Sequence, residues 1–357
     1  MVSELSHLCV PPDCSLRQAA ECINKNSQGI VLVTDRARKL LGTITDGDIR
    51  RSLLAGKDLE TPVSDLLALK ASSPYPQPIA APVGTDSAEL LQLMEDNAIY
   101  QIPLLDREGC VLDLVTMRDL LPSPAKLSLQ AVVMAGGFGT RLRPLTEDLP
   151  KPMLPVGDRP LLEHIIEQLR ESGIHQVNLT THYKGEAITQ HFGEGENFGV
   201  QIQYVEETRP LGTAGALNLL KNPDEPLLVI NGDILTKVNF RSMMDFHQEN
   251  HADMTVAVRE QEFQIPYGVV EMNGVEIAHI QEKPVLRHFI SAGIYLLDPT
   301  VCQAIPQDSP YDMPSLIADL IARNRRVVSF PIHEYWLDIG QLKDYQKAVA
   351  DIQRGEI

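Results

Sequence analysis

The strongest constraint on this chain is an apolar strand pattern at 129–134 that runs directly into Ala135-Gly-Gly-Phe-Gly-Thr-Arg-Leu-Arg-Pro-Leu-Thr146, with Lys151-Pro152 close behind. A short continuous apolar run reads as a strand buried on both faces. Three glycines in the following loop let backbone N–H groups come close to an anion. Arg141 and Lys151 add fixed positive charge, and the combination suits a triphosphate. The loop is not a Walker A loop, because no Gly-Lys-Ser/Thr follows. It is not a dinucleotide fingerprint either, because Leu142 stands at the third glycine position.

Beyond the loop, strand patterns at 177–180, 200–205 and 227–230 alternate with helical patterns at 161–171, 185–191 and 213–220. Strands separated by helices predict right-handed crossovers and an α/β domain with a Rossmann-like, mostly parallel sheet. Ligands of such sheets bind at the carboxyl ends of the strands, so the loops there should carry the chemistry.

The first 121 residues follow another pattern. Sliding the sequence by 71 positions lays Asp35 on Asp106, Thr45 on Thr116, Asp48 on Asp119 and Ile49 on Leu120 without a gap. Upstream, Ala19 falls on Leu90 and Ile23 on Met94, inside helical apolar patterns. Each unit reads as helix, strand, turn, strand, helix. Proline clusters at 72–78 and 121–128 read as an extended linker and a domain boundary. The expected organisation is a repeat pair at 1–121, a linker at 122–128 and the α/β domain at 129–357.

Composition narrows the function classes. The 357 residues carry a formal charge of −17 and are 43% hydrophobic, which excludes wholesale disorder and argues against nucleic acid or an anionic membrane as partner. Five scattered cysteines (Cys9, Cys14, Cys22, Cys110, Cys302) form neither a zinc pattern nor a disulfide framework. No secretory signal is evident and no apolar run approaches the ~20 residues of a membrane helix, so the expectation is a soluble cytoplasmic protein. His164, His175, His182 and His191 share no ligand spacing with the acidic motifs and read as incidental.

Two resemblances follow from these motifs. Gly42-Thr-Ile-Thr-Asp-Gly-Asp48 is close to the strand-to-helix signature of CBS domains, and Val115-Thr-Met-Arg-Asp119 is a looser second copy, with Asp113 in place of Gly42. The 1–121 segment thus resembles a CBS-domain pair, an α+β module. By that resemblance Thr45, Asp48, Thr116 and Asp119 hold the ribose and phosphate region of an adenine or guanine nucleotide effector. The alternative is that Asp48 and Asp119 merely cap helices. Such pairs also imply a homo-oligomer.

From about 129 to 349 the chain resembles the sugar-1-phosphate nucleotidyltransferases, closest to guanylyltransferases that form GDP-sugars. The resemblance rests on an ordered series: GGFGTRLRPLT with KPM, Pro210-Leu-Gly-Thr-Ala-Gly215, Asn231-Gly-Asp233, Tyr267-Gly-Val-Val270, Glu282-Lys-Pro284 and Trp336-Leu-Asp-Ile-Gly340. It implies Mg-dependent transfer of a nucleoside monophosphate from an NTP to a sugar 1-phosphate, with pyrophosphate leaving. Arg141 and Lys151 would be catalytic. Ala135, Gly136, Gly137, Gly139, Thr140, Glu207, Gly212 and Thr213 would bind the nucleotide. Tyr267, Gly268, Glu282, Lys283 and Ser291 would bind the sugar phosphate, and Asp233 and Asp338 the metal. Phe138 replaces a commoner serine, and Ser291 stands where many relatives place asparagine, which leaves the sugar open.

A sugar phosphate is already a nucleophile near neutral pH, so the reaction needs positioning and charge stabilisation rather than a general base. Glu207 favours GTP. A carboxylate accepts two hydrogen bonds, and guanine presents N1–H beside N2–H₂, whereas thymine or uracil offers one N–H between carbonyls. Uridylyl, thymidylyl or cytidylyl transfer, and a nucleotide-responsive regulator without turnover, remain alternatives.

Overall fold

The computed structural model describes residues 7–26, 28–70, 77–120, 128–220, 224–307 and 309–357. Most of the two proline clusters, including the expected linker at 122–128 up to residue 127, lies outside the described residues. The chain divides into two compact units, one made of residues 1–127 with 239–242 and the other of 128–238 with 243–357.

In the first unit the repeat appears as two three-stranded sheets. One consists of Cys9–Val10, Ile30–Thr34 and Leu40–Thr45, the other of Ala81–Pro82, Gln101–Leu105 and Val111–Thr116. The 71-residue slide survives in the register, since Ile30 pairs with Thr45 as Gln101 pairs with Thr116, and both hairpins carry a bulge at equivalent places, Val33/Thr34 and Leu104/Leu105. The short strands Cys9–Val10 and Ala81–Pro82 carry too few residues to show a period, which is why each unit read as starting with a helix. Ala19, Leu90, Ile23 and Met94 are all buried. Asp35 and Asp106 do identical work, each closing its hairpin loop with backbone N–H groups two and four residues on. The halves meet where Lys39 bridges Cys110, itself one 71-residue step away.

The second unit is built on a seven-stranded sheet: β1 (Gln130–Met134), β2 (Gln176–Thr181), β3 (Gln201–Glu206), β4 (Leu227–Asn231), β5 (Met254–Gln264), β6 (Val285–Leu297) and β7 (Val327–Pro331). Their spatial order is β3-β2-β1-β4-β6-β5-β7. Only β6 runs against the others, so the sheet is mostly parallel, as expected. β1 lies between β2 and β4, so the chain moves outward from β1 to β3 and then returns to the other side of β1. That reversal is a topological switch point, and the crevice outside the carboxyl ends of β1 and β4 is where such a sheet binds ligands.

Helix α1 (Leu161–Glu171) forms over the expected residues because Leu161, Leu162, Ile165, Ile166 and Leu169 recur at helical spacing and all bury. Each such side chain contributes about 1.5–3 kcal/mol on transfer from water. Strands β1 and β4 bury Val132, Leu227 and Val229 in the main core with Ala214, Leu217, Met313 and Leu316. The helix expected at 213–220 is not continuous. It is one α turn at Gly212–Gly215 followed by a 3₁₀ turn at Ala216–Leu219. Tertiary contacts to 311–313, described below, override the local helical pattern.

Candidate functional site

The switch-point crevice is a cleft of about 290 Å³. Its walls come from the loop after β1 (Ala135, Gly136, Gly137, Phe138), from Lys151, from the segment after β3 (Glu207, Pro210, Gly212, Thr213) and from Asn231-Gly232-Asp233 after β4. Four sequence segments spread over about a hundred residues thus converge at one end of the sheet.

The glycines are required by close approaches. Gly139 has φ +60° and begins the short turn Thr140–Leu142, and a Cβ there would sit 3.0 Å from Thr146 and 3.1 Å from Lys151. Thr146 donates its hydroxyl to the Gly139 carbonyl at 2.8 Å, which holds the loop on itself. Gly136 backs onto Glu207: a Cβ would meet Oε1 of that carboxylate at 2.9 Å. Gly232 lies across the end of β1, donating its N–H to Met134 O at 2.9 Å.

The charged groups gather at the mouth. Lys151 forms an ion pair with Asp233. Asp338 ends the strand Trp336–Asp338, which pairs with Ile234–Thr236 so that Ile234 faces Asp338 and Ile339 N–H bonds the Asp233 carbonyl at 3.0 Å. The two aspartates therefore stand together through one small antiparallel ladder, although 105 positions separate them in sequence. Burial, and then the Asp233 charge, push the Asp338 carboxyl up to about 6 against the opposing pull of Lys151 and Arg141. Asp338 does not cap the following helix, since Leu342–Gln353 is capped at Gln341 with Asp344. Trp336 is fixed by its indole N–H donating to Ala292 O at 2.8 Å.

Glu207 is buried, and its Oε2 accepts from Leu211 N at 3.0 Å. One of its oxygens is thus already engaged within its own loop, while the other faces Gly136. Thr213 lines the cleft but spends its N–H on Asp312 Oδ1. Arg141 and Thr140 are exposed in the loop turn.

The remaining expected residues lie elsewhere. Tyr267-Gly268 and Glu282-Lys283 flank a two-stranded ribbon, Val269–Asn273 with Glu276–Gln281, almost wholly exposed. There Gly268 backs onto the Glu282 carboxylate, at 3.1 Å from a Cβ, and Lys283 adopts φ +45°. None of these four lines the cleft. Ser291 is in β6, its hydroxyl 3.0 Å from Tyr295 Oη. In the first unit, Thr45 and Asp48 bond side chain to side chain at 2.8 Å, as do Thr116 and Asp119.

Sequence reasoning passed over His182. Its Nδ1 meets the Glu207 carbonyl at 2.7 Å, and its ring packs edge-on against Phe138, 5.5 Å between centroids. No spacing in the sequence marks this contact, because the partners come from three different strands' ends. All five cysteines are free, in keeping with the lack of a pairing pattern. Among the described residues no helix is long and apolar enough to cross a membrane.

Comparison with known proteins agrees with this geometry. Residues 130–355 match the family described as Nucleotidyl transferase, and 2–55 and 63–125 each match the CBS domain. Over 226 residues the chain is 34% identical to the "Mannose-1-phosphate guanyltransferase" of Yarrowia lipolytica, covering 61% of this chain and 62% of that protein. It is 35% identical over 238 residues to the "Mannose-1-phosphate guanylyltransferase" of Mycobacterium tuberculosis, covering 64% and 65%. The chain therefore spans less than two thirds of the length of these relatives. The crystal structure of HddC from Yersinia pseudotuberculosis superposes with a TM-score of 0.51 at 25% identity, over 62% of this chain and 99% of HddC. A family match over more than half the chain, on a sheet whose switch point gathers the glycine loop and the aspartate pair, establishes that this protein belongs to the nucleotidyl transferase family and carries a CBS-domain pair ahead of that domain.

Proposed function

We propose that the protein transfers a nucleoside monophosphate from an NTP, GTP by preference, to a sugar 1-phosphate, releasing pyrophosphate and forming an NDP-sugar. The observation that carries this reading is the convergence of the glycine loop, Lys151 and the Asp233–Asp338 pair at the carboxyl ends of β1 and β4. Mannose 1-phosphate is the first acceptor to try, since that is the sugar phosphate in the relatives' names.

The two substrates are both anions, so the main obstacle is their repulsion and the charge that builds on the departing pyrophosphate. Amides of 135–140 would line the phosphates, and Arg141 would neutralise the leaving group. Lys151 would stabilise the α-phosphate as it is attacked. Tyr267, Gly268, Glu282, Lys283 and Ser291 would orient the sugar phosphate. Two neighbouring carboxylates, one raised to about 6 by burial and then by the other's charge, are a donor set that fits Mg²⁺, a hard ion that takes oxygen ligands. Asp233 and Asp338 would hold it, and when bound it would supply positive charge beside the phosphates. Lys151, paired with Asp233 in this structure, would exchange that carboxylate for the phosphates of the substrate.

Glu207 supports guanine through the oxygen that faces Gly136, its other oxygen being held by Leu211. We further place the enzyme in the cytoplasm as a homo-oligomer, with 1–121 as the nucleotide-responsive part and 129–357 as the transferase. The test is pyrophosphate release from each NTP against a panel of sugar 1-phosphates with Mg²⁺. GTP with mannose 1-phosphate should lead. Preference for UTP or dTTP would defeat the guanine assignment, and no release with any pair would defeat the transferase reading.

A further inference from the structure

We infer that Asp312 is a positioning residue for the nucleotide, acting through the Pro210–Gly215 loop, which it holds from outside the cleft. The inference rests on the transferase reading above. Asp312 precedes helix α2 (Met313–Ala322) in the capping position, yet its carboxylate makes no cap bond to its own helix. Instead Oδ1 accepts from Thr213 N at 3.0 Å and from Thr213 Oγ1 at 3.4 Å. The Thr213 hydroxyl in turn accepts from Met313 N at 2.9 Å, supplying the missing cap. Each side chain thus takes the backbone N–H that a helix N-terminus would otherwise leave without a partner.

Neighbouring contacts carry the exchange along the loop. Tyr311 O accepts from both Ala214 N and Gly215 N at 2.9 Å, and Tyr311 N donates to Leu211 O at 2.8 Å. Gly212, at φ +78°, lies so close that a Cβ would meet Asp312 Oδ1 at 2.6 Å and Tyr311 O at 2.7 Å. Gly212 and Thr213 line the cleft, whereas Asp312 does not. Thr213 therefore serves the nucleotide by the place of its backbone, since its N–H and hydroxyl are engaged with 312–313. A carboxylate behind a loop that takes an anionic ligand would, by charge alone, weaken nucleotide binding, so its removal discriminates sharply between repulsion and positioning.

The test uses the full chain. Asp312→Ala should raise the GTP KM, and the GTP Kd by calorimetry, roughly 10-fold, the loss of a hydrogen bond to a charged acceptor. Its kcat and the sugar-phosphate KM should stay within about 2-fold. Asp312→Asn keeps an acceptor oxygen without the charge and should restore near wild-type values. Thr213→Val, which removes the hydroxyl alone, should give a smaller KM increase and serves as the variant if Asp312→Ala does not fold. An unchanged or tighter GTP Kd in Asp312→Ala overturns the inference, as does an Asp312→Asn variant as impaired as Asp312→Ala. A wild-type chain that binds GTP but releases no pyrophosphate defeats the transferase reading alone, with Kd still deciding Asp312. A wild-type chain that binds no nucleotide defeats both.

Discussion

Among the described residues, Lys151 in the cleft and Lys70 in the CBS pair each pair with an aspartate, and the two sites are opposites in electrostatic balance. In the cleft, Lys151 pairs with Asp233, and Asp338 adds a second carboxylate that the cations do not satisfy. In the CBS pair, Lys70 donates to Asp48 Oδ2 at 2.9 Å, Arg51 to Oδ1 at 2.9 Å, and Thr45 supplies both its N–H and its hydroxyl. Burial pushes the Asp48 carboxyl up, but Lys70, the Thr45 amide and Arg51 outweigh it and hold it below the usual carboxylate range. The cleft keeps uncompensated negative charge that invites a cation. The module has a carboxylate whose two oxygens are already engaged, so a ribose there would compete with Lys70 and Arg51. The second CBS half sharpens the contrast, because among the described residues Asp119 accepts only from Thr116.

The largest expected effect lies in the cleft. Lys151→Ala and Asp233→Asn should each lower kcat by roughly 10²-fold or more, the cost of losing a charge-stabilising group. Pyrophosphate release under saturating substrate checks this, and near wild-type rates would erase the functional half of the comparison. Next, Mg²⁺ should raise Tm by mass action at pH 7.5, and less at pH 5, where the Asp338 carboxyl, raised to about 6, is largely protonated. Asp338→Asn should abolish most of that shift. A pH-independent Mg²⁺ effect would locate the ion elsewhere.

Smaller effects should come from the module. Lys70→Ala should cost about 1 kcal/mol at neutral pH, measured by denaturant unfolding, because one charged hydrogen bond is lost from a buried carboxylate. The sign with pH follows from the lowered Asp48 value. Its stabilisation is complete above the ordinary carboxylate range and fades as pH falls through the folded value. The gap between wild type and Lys70→Ala should therefore close below about pH 4. The smallest effect expected is that of Asp119→Asn, at roughly 0.5–1 kcal/mol, since only the Thr116 contacts weaken. A larger loss than for Asp48→Asn would reverse the contrast between the halves.

Much of this was legible in the order of residues. The 71-residue repeat, the spans of β1, β4 and α1, and the glycine loop all depend on local patterns: buried runs, helical spacing, and glycine where a Cβ has no room. The apolar spacing at 213–220 predicts a helix there; contacts with Tyr311 and Asp312 leave one α turn followed by a 3₁₀ turn. The aspartate pair was readable as two motifs, but the ladder that sets Asp233 beside Asp338 was not.

By itself, then, the sequence determined most of the element types, the repeat and the chemistry available: the amides of a glycine loop, cations and two acidic motifs. Tertiary structure alone decided which charges meet. Lys70 reaches Asp48 across 22 positions, and Thr213 exchanges caps with Asp312 across 99. Local propensity biases a residue's backbone, but a charge's state depends on neighbours brought from anywhere in the chain. Whether a carboxylate is satisfied or waiting is a property of the fold.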